Sequence, residues 1–156
     1  MDRFSIKVAS SVGDWGVEGT EEELTRVYMP EEAFRVSRGT TPLNVQNAAR
    51  QLLEYFDGTR RSFSLPLAPV DATAFQRDVW NALRQIPYGE VRTYGEIAAS
   101  VDRPRAMRAV GNANHANPWP IIVPCHRVVA LHGLGGYGGG LDVKRFLLQL
   151  EGLDYE

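Results

Sequence analysis

The sequence predicts an α+β protein in two parts, and three observations point there. The first third alternates apolar and polar residues with period two, as in Phe4-Ser5-Ile6-Lys7-Val8-Ala9. From Thr73 onward the apolar residues recur at helical spacing. Between the two, Pro66 and Pro69 fall in a stretch with no period, which reads as a linker dividing residues 1–69 from 70–156. A chain of 156 residues that is 44% hydrophobic can bury a real core.

Each element has its own signal. After the strand at Phe4–Ala9, Val12-Gly13-Asp14-Trp15-Gly16 reads as a turn, and Leu24 to Met29 as a further strand stopped by Pro30. Residues 44–57 set Val45, Ala48, Ala49, Leu52, Leu53 and Phe56 at helical spacing, with Gly58 as the stop. Residues 62–67 alternate again as a strand candidate. Thr73 can cap a helix running to about Ile86, with Phe75, Val79, Trp80 and Leu83 on one face and Pro87-Tyr88-Gly89 ending it. Thr93 and Glu96 fit a capping box for a short helix from Tyr94 to Ser100. Pro104 suits the first turn of a second helix reaching about Ala113, so the pair is a helix-turn-helix candidate. Glycines from Gly133 to Gly140 surround Tyr137 in a flexible loop, and a last helix covers 141–151 with Val143, Phe146, Leu147 and Leu150 inward.

Charge narrows the function classes only locally. The net charge is −2, yet residues 91–127 hold Arg92, Arg103, Arg105, Arg108 and Arg127 against Glu96 and Asp102 alone. A basic patch on an acidic chain can meet phosphates, and a chance surface cluster fits the charge equally well. No apolar run approaches a membrane span, and the N-terminus lacks the basic-then-apolar pattern of a signal peptide. With a single cysteine there is no internal disulfide and no thiolate zinc site, so a cytosolic location is expected. The three histidines are not at metal-ligand spacing, and no metal is expected.

The sharpest chemical feature is Pro124-Cys125-His126-Arg127-Val128. A thiol beside an imidazole reads either as a buried structural cysteine or as a nucleophile whose proton the histidine takes. Glu151 can orient His126 in a Cys-His-Glu relay, although Glu90, Glu96 and Asp142 are also available. The glycine loop is neither a phosphate loop nor a dinucleotide fingerprint; it fits a hairpin or a close backbone approach to a planar ligand.

Several separate segments occur together: Pro87-Tyr88-Gly89-Glu90, Thr93-Tyr94, Arg108-Ala109-Val110-Gly111, Asn117-Pro118, Pro124 to Val129, Gly136-Tyr137-Gly138-Gly139-Gly140-Leu141, and Leu150-Glu151-Gly152. In this order and spacing the C-terminal half closely resembles the O6-alkylguanine-DNA alkyltransferases, also called methylated-DNA–protein-cysteine methyltransferases. The resemblance implies a small ribonuclease-H-like N-terminal domain packed on a mostly helical, winged-helix-like domain that carries the helix-turn-helix. It implies double-stranded DNA containing O6-alkylguanine as partner, with O4-alkylthymine as a further lesion, and a monomer with no membrane, no cofactor and no zinc. The base would be flipped out of the stack. Arg108 would fill the gap, with Gly95, Ala109, Arg103 and Asn114 also on the DNA side. Tyr94 would hydrogen-bond the guanine. Tyr137, Gly138, Gly139, Val128 and Pro120 would line the base pocket. Cys125 would attack the alkyl carbon, His126 would take the thiol proton through a water, Glu151 would hold the imidazole, and Asn117 would brace the segment. Arg127 would make a structural salt bridge. The thioether product would end the protein's activity after one event and strain the packed site. Two other readings stand behind this one: a lesion binder without transfer, and a cysteine hydrolase of unrelated substrate.

Overall fold

The structure, a computed structural model, describes residues 2–155. It divides into two compact units, Met1–Val70 and Asp71–Glu156.

In the first unit β1 (Phe4–Ser10), β2 (Gly13–Gly19) and β3 (Leu24–Tyr28) form an antiparallel sheet in that order. The register sets Val8 opposite Trp15 and Val17 opposite Val27. The turn expected at Val12–Gly16 is shorter than read. Ser11 and Val12 alone make it, and Gly13 already pairs in β2. The reason is local: Gly13 takes φ +126°, and the Ser10 hydroxyl binds Gly13 O, Val12 N–H and Trp15 Nε1. Trp15 is thus freed to enter the core, where it meets Phe56 of α1 (Leu43–Phe56) with ring centroids 5.5 Å apart. Val45, Ala48, Leu52 and Tyr55 bury the inward stripe of α1. The strand expected at 62–67 does not form. Leu24 N–H reaches Pro66 O and Ala68 N–H reaches Leu24 O, leaving one isolated bridge at Leu67. Pro66 has no N–H to extend the ladder.

The second unit begins with α2 (Ala74–Leu83), entered by a reciprocal capping box between Thr73 and Gln76. It ends before the expected Ile86, because Pro87 disfavours helical backbone at the residue preceding it. Then come β4 (Arg92–Thr93), α3 (Tyr94–Ser100), α4 (Met107–His115), β5 (Val128–Val129) and α5 (Leu141–Leu150). Thr93 and Glu96 form the anticipated box at α3. The second helix of the pair starts later than predicted. Asp102 takes φ +60°, Ala106 N–H bonds Arg103 O, and Pro104 lies in the turn rather than in the helix. Strands β4 and β5 pair in parallel, Thr93 against Val129, which joins the start of α3 to the segment behind Cys125. In α5 the inward residues are Val143, Lys144, Leu147 and Leu148; Phe146 and Leu150 are only partly buried. No helix among the described residues is long and apolar enough to cross a membrane.

Candidate active site

Cys125 is delivered by a rigid turn. Ile121 takes φ +74°, a left-handed conformation that costs a β-branched residue roughly 1–3 kcal/mol and needs surrounding structure to hold it. That support is present: Ile121 is buried, Pro120 bridges to Val123, and Cys125 N–H bonds Val123 O at 2.8 Å. Asn117, just past α4, stitches the same segment, its Nδ2 donating to Val123 O at 2.8 Å and its Oδ1 accepting from Trp119 N–H. A single 3₁₀ turn, Cys125–Arg127, then leads into β5.

The thiol is 4% exposed and lies 3.8 Å from the Tyr137 hydroxyl. Burial pushes its pKa up, against pulls from Asn117, Tyr137 and the Lys144 charge. Cys125 therefore rests as a neutral thiol surrounded by groups that favour the thiolate, and its proton needs a nearby acceptor.

Such an acceptor is adjacent in sequence. His126 is fully buried, and its Nε2 lies 2.6 Å from Glu151 Oε2. Desolvation holds the imidazole below its ordinary pKa, which favours the neutral form with a lone pair open to a proton. Burial alone would raise Glu151, but the bonds from His126 and Arg127 outweigh it and hold the carboxyl at about 2. Arg127 donates Nε to Oε1 at 2.8 Å and a second nitrogen to Oε2 at 3.2 Å, a fork on the carboxylate, while its third nitrogen reaches Ile86 O. Gly89 N–H also bonds Glu151 Oε1, and the Tyr88 hydroxyl bonds Leu150 O. Of the four carboxylates weighed for His126, the fold brings it Glu151.

Lys144 was not anticipated. It is fully buried on the inner face of α5, its ammonium donating to Val128 O at 2.7 Å and Gly136 O at 3.0 Å. It also stands 5.8 Å from the Tyr94 ring centroid and 5.9 Å from that of Tyr137. Burial lowers its pKa to about 8, opposed by the attraction of Cys125. Its sequence signal was its register, between Val143 and Leu147 on the apolar stripe.

Tyr94, at the start of α3, donates its hydroxyl to Gly136 O at 3.3 Å. Gly135 takes φ +76°, and a Cβ there would come within 2.9 Å of the Tyr94 ring, so only glycine lets the loop lie against it. Cys125, Asn117, Tyr137 and Lys144 thus gather at one place, with Tyr94 joined to them through Gly136 and Lys144. Val128 and Pro120 lie buried behind the turn, whereas Gly138 is exposed and Gly139 half-buried in the loop. The residues expected to face DNA lie on α3, on α4 and in the turn between them. Arg108 is exposed on α4 with Ala109 half-buried beside it, Gly95 is half-buried on α3, and Arg103 is exposed in the turn, bonding Asp102 O.

Residues 74–153 match the family model described as 6-O-methylguanine DNA methyltransferase, DNA binding domain. The constitutive methylated-DNA–protein-cysteine methyltransferase of Bacillus subtilis is 43% identical over 155 residues, 93% of each chain. This chain belongs to the methylated-DNA–protein-cysteine methyltransferase family. A family member from Methanosarcina acetivorans is 59% identical over 108 residues, covering 69% of each chain. Among solved structures, the Mycobacterium tuberculosis OGT in complex with DNA superposes with a TM-score of 0.84 at 44% identity, over 96% of this chain and 93% of that one. The mixed α/β architecture of small sheets and five helices is thus one that methyltransferases of this family share.

Within the methyltransferase frame, the sequence motifs cover the reacting groups but miss part of their scaffold. Arg127 makes the structural salt bridge that the resemblance implies, with the carboxylate of Glu151 as its partner. The sequence marks Gly135 and the Tyr88-Gly89 turn but not their contacts with Tyr94 and the end of α5, and it does not single out Lys144. Gly135 had a usable signal, being the glycine at a loop bend two residues before Tyr137.

Proposed function

We infer that this chain repairs alkylated double-stranded DNA by moving the alkyl group from O6 of guanine to its own Cys125, once per molecule. The observation that carries the reading is the sealed thiol ringed by Asn117, Tyr137 and Lys144, next to a neutral His126 held by Glu151, in a chain of this family. The Cys125 sulfur forms a bond to the alkyl carbon as the carbon–O6 bond breaks, and the electron pair leaves with the purine. The thiol proton passes to His126. With Nε2 committed to Glu151, proton exchange on the cysteine side falls to Nδ1. Guanine leaves as the neutral base: N1 takes a proton from the Tyr94 hydroxyl, whose pKa burial raises, and the proton taken up by His126 returns through solvent to restore the phenol. Asn117 fixes the turn, and Lys144 offsets the charge of the thiolate. Tyr137, Gly138, Gly139, Val128 and Pro120 form the walls of the base pocket.

On this reading the C-terminal unit, residues 70–156, is a winged-helix-like module whose helix-turn-helix presents Arg108, Ala109, Gly95, Arg103, Asn114 and Tyr94 to the duplex. Arg108 occupies the space the flipped base vacates. The N-terminal unit, residues 1–69, is a structural ribonuclease-H-like domain. The protein acts as a cytoplasmic monomer on nucleoid DNA and needs neither cofactor nor metal. O4-alkylthymine, which presents the same alkyl–oxygen bond, is a second substrate.

Incubation with a duplex carrying O6-methylguanine is expected to add the mass of one methyl group to the peptide holding Cys125, with transfer stopping at one equivalent. Tight binding with no mass gain would instead support a damage-flagging protein. Continued turnover on an ester or peptide, lost in Cys125→Ala, would support a hydrolase.

A further inference from the structure

The turn between α2 and β4 meets the buried ion cluster at several points. Glu90 N–H closes it on Pro87 O at 3.1 Å, and Gly89 in its third position takes φ +80°, the conformation a type II turn asks of that residue. Just before it, Ile86 O accepts from the Arg127 guanidinium at 2.7 Å. The centroid of the Tyr88 ring stands 5.8 Å from Arg127 Cζ. The Tyr88 hydroxyl donates to Leu150 O at 3.1 Å, and Gly89 N–H donates to Glu151 Oε1 at 3.0 Å. A Cβ on Gly89 would lie 3.4 Å from Glu151 O, so the turn rests directly on the end of α5.

These bonds bear on how the carboxylate meets the imidazole. Glu151 is the residue that caps α5, just past its last helical position, where helix ends fray unless they are tied. Gly89 N–H and Arg127 Nε hold Oε1, and Oε2 is turned to His126 Nε2 at 2.6 Å. His126 is faced by Glu151 at the end of α5, by Arg127 beside it in the chain and by Lys144 on the inner face of α5. Of these charges, Glu151 strengthens the imidazole's hold on a proton, while Arg127 and Lys144 weaken it. A carboxylate that slips from its place therefore leaves a poorer acceptor for the Cys125 proton.

We propose that Tyr88 and Gly89 are positioning residues of the reaction: their turn locks Glu151 against His126 and so keeps His126 fit to take the thiol proton at neutral pH. This rests on the alkyl-transfer reading and extends the relay beyond the residues around Cys125 to a backbone turn 62 positions from Glu151 in the chain.

Tyr88→Phe keeps the ring over Arg127 and removes only the anchoring hydroxyl. Single-turnover methyl transfer from a duplex carrying O6-methylguanine is timed at about pH 7 and at about pH 9.5, below and above the ordinary range of a thiol. At neutral pH Tyr88→Phe is expected to be about three- to tenfold slower than wild type, the scale of one neutral hydrogen bond. In alkali hydroxide takes the thiol proton and Lys144 sheds its charge in both proteins alike, so the ratio is expected to climb toward one. Gly89→Val, whose branched side chain opposes positive φ, should show the same pattern more strongly. Gly89→Asn tolerates that conformation, keeps the N–H and should recover most of the rate that Gly89→Val loses. Comparing one preparation at two pH values cancels any loss of folded protein. A deficit of the same size at both pH values would mark the turn as scaffold alone and overturn the proposal, as would a Tyr88→Phe protein that matches wild type at neutral pH. Alkylation of Cys125 by iodoacetamide without DNA should give the same pH-dependent ratios. A wild type that this reagent alkylates but that takes no methyl from the duplex would overturn the alkyl-transfer reading instead, and the reagent ratios would still decide the role of the turn.

Discussion

The core of the N-terminal unit is filled by Trp15, Val8, Val17, Leu24, Val27, Val45, Leu52 and Tyr55, whereas the C-terminal unit seals His126, Arg127, Lys144 and Glu151 among its apolar side chains. The buried polar residues of the first unit are Ser5, Thr20 and Gln51, all neutral. Each ties down the backbone: the Ser5 hydroxyl donates to Arg35 O and its N–H to the Ser37 hydroxyl, Thr20 accepts from Glu22 and Glu23 N–H, and Gln51 bonds the backbone N–H and C=O of Ser64. In the second unit the buried polar groups are titratable and bond one another or the site loops. Neutral bonds to backbone hold a fold at little cost, while sealed charges are expensive unless every partner is in place. The difference separates a unit whose buried polar groups are neutral from one whose buried polar groups are titratable.

The largest effect should come from breaking the charged cluster. Glu151→Ala leaves the Arg127 guanidinium sealed without its carboxylate and His126 without its holder, so urea unfolding should show a loss of about 3–5 kcal/mol and transfer to Cys125 should cease. A loss below about 1 kcal/mol would erase the contrast between the units. Leu52→Ala in α1 should cost a comparable or slightly smaller amount, about 2–5 kcal/mol, by leaving a cavity. Here the folded protein should transfer methyl at the wild-type rate, and a slow but folded Leu52→Ala protein would break the division of labour. Lys144→Met should change stability by only about 1–3 kcal/mol, because a costly buried charge disappears together with its two carbonyl bonds. Its single-turnover rate should fall about tenfold to a hundredfold.

The smallest effects are in pH. Glu151 sits at about 2 rather than 4.5, so its contribution to folding is complete above pH 4.5 and drains away as pH falls toward 2. Near-ultraviolet circular dichroism of the C-terminal tryptophans, against that of Trp15, would show which unit loosens first in acid. Lys144 sits at about 8 rather than 10.5, so the unfolded chain holds that proton more tightly and this group's burden on stability lifts between pH 8 and 10.5. The transfer rate should climb as the thiol ionises and bend over near pH 8 as the ammonium is lost. Lys144→Met should lack that bend.

Features set by neighbours in the chain were legible in the sequence. The Thr93–Glu96 box, the α1 stripe from Val45 to Phe56 and the Cys125-His126 pair all depend on residues within a turn of one another. Where the local signal competed with another force, the reading slipped. Trp15 sits in a stretch rich in turn residues, yet its burial pulled Gly13–Gly19 into a strand. Pro104 looked like a helix start, but the turn at Asp102 consumed it. The choice of Glu151 over Glu90, Glu96 and Asp142 depends on the whole path of α5, which no local pattern contains. Lys144 was missed for a different reason: lysine is so seldom fully buried that its position on an apolar stripe was outweighed by its type.

Cys125 is both the sole thiol of the chain and nearly closed to solvent. The protein therefore carries its own history in a form that simple reagents can count. Unspent molecules should resist a bulky disulfide reagent while folded and release one equivalent of chromophore once denatured. Molecules that have met a lesion should release none. The thiol content of a denatured sample is thus a direct tally of encounters with damaged DNA, and it needs neither antibody nor radiolabel.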